Sequence, residues 1–327
     1  MIVDKGPIFE CIPGAPSCHC STLHKFPDGS LIVGFFAGAY EKAPDVAIWG
    51  ANGDPSGSEW TEPRVLADTP NKSEGSPVFY QEDSGKLHLW YLTMHHGWLI
   101  GGKLPTGWSV CTIKHTTSMD KGYTWSKWNF LRNRWFWVLR CQACRLQDGS
   151  VLLPMHREFG KYQSMMYINP KPDLSGKWRR YGCLKTPKGC LEPAVCELPD
   201  GKLLCSLRTK DGIVYIARSS DHGHSWTRPV PTKFHNPNSQ TALCCTSRGK
   251  VVLVLNNLPK GRHWLAYTVS DDGGETWGAL ETIDGKDDPS EAGKQYSYPS
   301  IVELSDGRLL VSYTWNREQI WWARFAV

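Results

Sequence analysis

No stretch of this chain approaches the roughly 18 uncharged apolar residues that a membrane-spanning helix needs, so no transmembrane segment is expected. The start, Met1-Ile2-Val3-Asp4-Lys5-Gly6-Pro7, lacks the apolar core of a secretory signal, and the chain as written reads as cytoplasmic. No run of Lys or Arg resembles a nucleic-acid arm and the net charge is a modest +5, which argues against DNA or RNA as a partner. Cys141-Gln-Ala-Cys144 has zinc-like spacing, but no second pair stands at a matching distance. The motif also falls in an expected strand, where positions i and i+3 face opposite ways. The chain is neither small nor visibly secreted, so its 12 cysteines read as reduced, mostly buried thiols. With 40% hydrophobic and 21% charged residues, disorder and collagen are excluded too.

Large aromatics and turn formers are plentiful. Trp (16) outnumbers both Tyr (12) and Phe (10), and Gly (31) and Pro (22) are frequent. Many turns with many large rings point to an all-β chain. A length of 327 residues suits two domains or one large barrel or propeller.

An internal repeat decides between them. A Gly turn recurs between strand-like runs at Pro27-Asp28-Gly29, Asp83-Ser84-Gly85, Gln147-Asp148-Gly149, Pro199-Asp200-Gly201, Ser247-Arg248-Gly249 and Ser305-Asp306-Gly307. The glycines are 56, 64, 52, 48 and 58 residues apart. Each turn sits between apolar runs such as Leu31-Ile-Val-Gly-Phe-Phe36, which makes six hairpins of similar build. A second motif follows three of them: Ser118-Met-Asp120-Lys-Gly122-Tyr-Thr124-Trp125, Ser219-Ser-Asp221-His-Gly223-His-Ser225-Trp226 and Ser270-Asp-Asp272-Gly-Gly274-Glu-Thr276-Trp277. Worn versions end at Trp60 and Trp178. In each, Asp caps a tight turn, Gly takes a left-handed position and Trp folds back under the hairpin.

This second motif is the Asp-box. Over essentially its whole length the chain resembles the sialidase (neuraminidase) superfamily of Asp-box propellers. The resemblance implies an all-β, six-bladed β-propeller over residues 1–327 as a single domain, with Asp-box residues in structural roles. The sixth repeat is short, so Pro7-Ile-Phe-Glu-Cys-Ile12 is expected to supply its last strand.

In a propeller the innermost strands converge on the axis. Nine positions before the hairpin glycines stand Cys20, Ser76, Arg140, Glu192, Gln240 and Tyr298; ten before stand His19, Gly75, Leu139, Leu191, Ser239 and Ser297. An Arg, a Glu, a Tyr and a His near one axis form a functional collection, because unpaired charge in a bland core costs several kcal/mol. The family resemblance implies roles for these positions. Glu192, with Arg208 sixteen residues on, looks like the catalytic Glu and an arginine of the substrate-carboxylate triad. Arg262, eight residues before the Asp-box Ser270, looks like another. In Gln295-Tyr296-Ser297-Tyr298-Pro299 the nucleophile is Tyr298 by register or Tyr296 by its Tyr-Ser pairing, and alternation puts both on one face. Asp45 is the candidate acid/base, with Glu41 in reserve. A sialic acid carries a carboxylate on its anomeric carbon. It repels a carboxylate nucleophile but not a phenol, whose free pKa is near ~10 and which therefore needs Glu192 as base.

One position departs from the family. Where the first triad arginine is expected, Ser17-Cys18-His19-Cys20-Ser21-Thr22 offers His19, which cannot grip a carboxylate bidentately. Either the triad is rebuilt with Arg140 or Arg157, or the substrate differs. The elements Cys18-His19-Cys20-Ser21-Thr22, Pro44-Asp45-Val46-Ala47-Ile48-Trp49, Asn236-Pro-Asn238-Ser239 and Tyr296-Ser-Tyr-Pro299 resemble those of a divergent branch of predicted neuraminidases. Asn238 is read as substrate-binding or as shaping a turn. Two segments, His95 to Trp108 and Arg132 to Trp137, read as site walls. The expected activity is that of a glycosidase resembling exo-α-sialidases, acting on an acidic oligosaccharide or glycoconjugate without metal or cofactor. The rivals are a propeller lyase of uronate glycans, using His19 and Tyr298, and a carbohydrate-binding propeller without turnover.

Overall fold

The computed structural model describes residues 2–95 and 107–327. Its strands form six small antiparallel sheets arranged as the blades of a propeller. The first blade contains Ser17–Lys25, Leu31–Gly38, Ala47–Gly53 and Arg64–Ala67, from axis to rim. The second contains Ser73–Gln81, Leu87–Met94, Cys111–Ser118 and Asn129–Arg132. In the third, the inner strand is split into Trp137–Leu139 and Cys144–Arg145, ahead of Val151–Arg157, Gln163–Asn169 and Arg179–Leu184. The fourth runs Cys190–Glu197, Leu203–Thr209, Ile213–Ser219 and Val230–His235; the fifth runs Ala242–Cys245, Val251–Leu255, Trp264–Ser270 and Glu281–Gly285. The sixth has Tyr296–Glu303, Leu309–Trp315 and Gln319–Phe325, and its outer strand is Ile2–Pro7 from the other end of the chain. Among the described residues no helix is long and apolar enough to cross a membrane.

The closing strand therefore lies earlier than Pro7–Ile12. Ile2 pairs with Phe325 and Pro7 with Trp321. Proline has no N–H to give the ladder and ends the strand. Ile8, Phe9 and Ile12 then turn into the seam between the sixth and first blades, where they are buried.

The core is not one body but six hydrophobic clusters, one in each seam between neighbouring blades. Strand alternation distributes the side chains. From Leu31–Gly38, Leu31, Val33 and Phe35 enter the seam with the sixth blade, whereas Ile32 and Phe36 enter the seam with the second. Both faces are buried, so the second strand of a blade reads as a continuous apolar run rather than an alternating one. Each such side chain contributes about 1.5–3 kcal/mol on burial.

The six hairpin glycines have φ between 78° and 88°, the left-handed region that a side chain resists. The Asp-boxes close as local hydrogen-bond cages. In the box at Asp221, Ser219 Oγ donates to Asp221 Oδ1 (2.8 Å) and accepts from Gly223 N (2.9 Å). Ser225 donates through its N–H (2.8 Å) and its hydroxyl (2.6 Å) to the same carboxylate, and Trp226 Nε1 donates to Gly223 O (2.9 Å).

Candidate functional site

Four inner strands carry a bulge at the same place. The pairing registers shift between His19 and Thr22, Gly75 and Val78, Leu191 and Ala194, and Ser297 and Ser300. Inside each shift one non-glycine residue has positive φ: Cys20 (60°), Ser76 (50°), Glu192 (46°) and Tyr298 (57°). These are the positions nine before the hairpin glycine. A bulge re-aims a side chain, and a left-handed non-glycine residue costs about 1–3 kcal/mol, strain that concentrates at functional sites. In the third blade, Arg140 stands where the inner strand breaks, so Cys141-Gln-Ala-Cys144 is not the continuous strand expected from sequence. Cys141 Sγ donates to the Glu192 carbonyl (3.4 Å).

The bulges gather one cluster. Arg208 Nη1 donates to Glu192 Oε2 (2.7 Å) and to the Tyr298 hydroxyl (3.0 Å), so carboxylate and phenol meet at a single nitrogen. Arg208 Nε donates to Asn238 Oδ1 (2.9 Å), and Arg262 Nη2 donates to the Asn238 carbonyl (2.9 Å). Asn238, with φ of 55°, both shapes the turn and holds two arginines. The guanidinium carbons of Arg262, Arg140 and Arg208 lie 5.2, 5.3 and 5.9 Å from the Tyr298 ring centroid. Arg140 is buried, with Nη2 donating to the Ser21 carbonyl (2.8 Å). Arg140 Nε and Arg262 Nη1 have no hydrogen-bond partner among the described residues.

Burial raises the Tyr298 hydroxyl above the usual phenol range; Arg208 and Arg262 pull it down and Glu192 pushes it up. Burial works against the charge of Arg208, but Glu192 and Tyr298 outweigh it and hold this guanidinium protonated. His19 is 1% exposed, and both its ring nitrogens lack partners. Its ring meets Tyr298 edge-on (centroids 4.5 Å apart) and Phe36 likewise (5.6 Å). Burial, followed by the charges of Arg317, Arg262, Arg140 and Arg208, holds its pKa well below the ordinary histidine value, which leaves a neutral imidazole at pH 7.

Three expected site residues stand apart from this cluster. Tyr296 does not share a face with Tyr298, because the bulge between them breaks the alternation on which that expectation rested. Its ring packs in the seam between the fifth and sixth blades and its hydroxyl reaches Glu291 (3.5 Å). The Arg157 guanidinium stacks 5.0 Å from the Phe159 ring centroid. Asp45 is exposed and accepts from the Ala39 amide (3.1 Å), tying its own loop. Of the expected walls, residues 96–106 lie outside the described residues. Arg132 covers the ring of Trp137 (3.9 Å), and Trp137 belongs to the seam between the second and third blades.

Arg317, Glu158 and His156, which sequence reasoning passed over, complete the rim together with the reserve Glu41 and the wall residue Trp108. Arg317 donates from Nη1 to Glu41 Oε2 (2.5 Å) and from Nε to Gln295 Oε1 (2.9 Å). Trp108 Nε1 donates to the other Glu41 oxygen (3.1 Å), and the indole lies 5.5 Å from the Phe36 ring. Gly75 makes room for it: a Cβ there would lie 2.3 Å from the Trp108 ring. Next to Trp108 in the chain, Ser109 donates to Glu158 (2.7 Å), which pairs with His156 Nε2 (3.2 Å), while His156 Nδ1 accepts from the Glu192 amide (3.3 Å). Arg317 carried one sequence signal. It follows Asn316 in a tight turn where glycine is the favoured second residue.

Known proteins resemble the chain at two levels. The family model described as BNR repeat-like domain matches residues 29–311. Over 194 residues, 53% of this chain, 25% are identical to the anhydrosialidase of Macrobdella decora; that stretch is 24% of the anhydrosialidase, so the match spans about a quarter of its length. Among solved structures, a protein of unknown function from Dyadobacter fermentans superposes with a TM-score of 0.79 at 17% identity, covering 99% of this chain and 98% of that one. The Hadza microbial sialidase Hz136 superposes with a TM-score of 0.81 at 15% identity, covering 99% of this chain and 68% of that one. At such identities the solved structures show a shared fold.

Proposed function

This chain belongs to the BNR repeat-like domain family, and from that premise we propose that it is a sialidase-like glycoside hydrolase releasing a terminal acidic sugar. The observation that carries the reading is the meeting of Tyr298 and Glu192 at one nitrogen of Arg208. Tyr298 is the nucleophile. Burial keeps its phenol protonated, so attack requires a base, and Glu192 takes the proton as the phenol oxygen bonds to the anomeric carbon. The leaving oxygen takes a proton from solvent. In the second half, a water oxygen replaces the phenol on the anomeric carbon and gives its proton to solvent, and Glu192 returns the proton to Tyr298. The sum is hydrolysis with retention at the anomeric centre.

Arg208 and Arg262 hold the sugar carboxylate. Planar guanidinium forks match a carboxylate, and Asn238 fixes both by accepting from each. Arg140 lies beneath the Tyr298 ring and adds positive potential without needing contact with the ligand. The relationship to the leech anhydrosialidase and to the microbial sialidase supports the same class of glycan partner, a sialylated oligosaccharide or glycoconjugate.

The test is release of free sialic acid from a fluorogenic α-sialoside, with the product identified by mass. The wild type is expected to turn over, and Glu192→Gln and Tyr298→Phe to lose at least about a thousandfold in kcat, the range of a lost nucleophile or base. Full activity in both variants, or no release by the wild type, would overturn the reading. One observation favours a second reading, a lyase of uronate glycans. His19 is a neutral imidazole with both nitrogens uncommitted, edge-on to Tyr298, as a base and acid pair for β-elimination would require. An unsaturated uronate product, seen by its ultraviolet absorbance, would favour it over hydrolysis.

A further inference from the structure

Arg317 reaches the axial site by a route that the repeat does not provide. It lies in the turn between Leu309–Trp315 and Gln319–Phe325, closed by a hydrogen bond from Glu318 N to the Trp315 carbonyl (3.0 Å). Both central residues have positive φ, 49° at Asn316 and 63° at Arg317. Such turns favour Asn-Gly; here an arginine accepts the strained place. The turn is anchored beside His19, because Cys18 N donates to the Arg317 carbonyl (2.8 Å). Gln295 fixes the guanidinium through Nε, Glu41 takes Nη1, and Nη2 has no protein partner among the described residues. Glu41 is held from its other oxygen by Trp108.

His19 occupies the strand position from which the family resemblance implies an arginine, yet it lies buried with no charge to offer an anion. Resting on the reading that the site takes an acidic sugar, we infer that Arg317 supplies the missing carboxylate-binding guanidinium and that Glu41 is its internal competitor. The substrate carboxylate bonds the same fork that Glu41 bonds. Trp108 and Gln295 keep the two side chains in reach of each other, so the exchange is a local side-chain movement. Glu41 restrains binding of the acid in proportion to its own hold on Arg317. A neutral sugar of the same shape has no such exchange to make, and this is how the pair discriminates.

The test is calorimetric titration of wild type, Arg317→Gln and Glu41→Gln with N-acetylneuraminic acid and its methyl ester, and with galacturonic acid and its methyl ester. Far-ultraviolet circular dichroism checks each variant for folding. The wild type is expected to prefer acid over ester by at least about tenfold, the value of one charge-assisted fork. Arg317→Gln is expected to lower that preference several-fold, Arg208 and Arg262 keeping the rest, and Glu41→Gln to bind the acid several-fold tighter because the competitor is gone. An unchanged acid-to-ester ratio in Arg317→Gln overturns the inference even where sialoside hydrolysis stands. Unchanged or weaker acid binding in Glu41→Gln overturns the role of Glu41. Binding of galacturonic but not neuraminic acid, with the Arg317→Gln effect intact, supports the inference while sinking the sialidase reading. Binding of neither acid by the wild type overturns the inference itself.

Discussion

Glu74 and Glu192 each lie buried beside a cation at the start of an inner strand, yet they are surrounded in opposite ways. Glu74 is fully enclosed in the second blade. Thr93 donates to one of its oxygens (2.6 Å), Thr69 donates to the other, and Lys114 stands 3.8 Å away while donating to Thr69 (2.5 Å). Lys114 in turn lies 4.0 Å from the Trp128 ring centroid. Both carboxylate oxygens are bonded and the charge faces a cation, as a buried structural pair requires. Around Glu192 the backbone is strained, one guanidinium is shared between carboxylate, phenol and amide, and polar atoms of His19, Arg140 and Arg262 are uncommitted. A saturated pair holds a fold together; an unsaturated one keeps bonding capacity for a ligand.

Exchanging the cations tests that distinction most severely. Lys114→Ala leaves Glu74 without its counter-charge and is expected to cost about 3–5 kcal/mol of stability. Arg208→Lys keeps a charge beside Glu192 but loses the fork. We expect its stability to stay within about 1 kcal/mol of wild type, while kcat/KM on a sialoside falls at least about a hundredfold, near 3 kcal/mol. Urea denaturation and steady-state kinetics on both variants decide the matter. A large stability loss in Arg208→Lys with intact turnover would make the axial pair structural as well.

The pH dependence of stability tests the Glu74 pair next. Burial pushes the Glu74 carboxyl up from 4.5 to about 7. Between those values the folded state binds more protons than the unfolded one, so Glu74 makes stability fall as pH rises through that window. The size is up to about 3 kcal/mol, at 1.36 kcal/mol per pKa unit. Glu74→Gln is expected to flatten the slope between pH 4.5 and 7. Thermal unfolding across that pH range measures it; a slope retained in Glu74→Gln would place its source elsewhere.

The fold was legible because each repeat writes its own local chemistry. A hairpin glycine and an Asp-box cage are satisfied within a few residues, so they appear in the sequence as motifs with fixed spacing. Counting back from those glycines also located Tyr298, Glu192 and Arg140, since the bulges recur in register with the turns. The same bulges are why Tyr296 was misplaced: strict alternation holds only where the ladder is regular. Arg317, Glu41 and Trp108 come from turns and loops of the sixth, first and second blades and meet only through the closed ring. No spacing within one repeat encodes a contact between blades.

Gly75 links the two regions, since it follows Glu74 in the strand and makes room for the Trp108 ring that holds Glu41. Gly75→Ala puts a methyl where the indole lies, at an expected cost of about 1–3 kcal/mol for overpacking. If the indole leaves Glu41 instead, the loss moves from stability to substrate binding. Comparing the denaturation midpoint with KM tells which part yields.

The smallest effect is expected farthest from the axis. Asp221→Ala removes the acceptor of the buried Ser219 and of the amide and hydroxyl of the exposed Ser225, where water replaces much of what is lost. Three such bonds, with a net value well under their number in isolation, give about 1–2 kcal/mol. The Asp-boxes are repeated and each acts within its own turn, so loss of one leaves the seam cores and the axial cluster in place. Urea denaturation is therefore expected to shift by that amount with turnover unchanged. A loss of turnover in Asp221→Ala would mean that the rim transmits to the axis, and the division between a saturated scaffold and an unsaturated site would fail at its most redundant point.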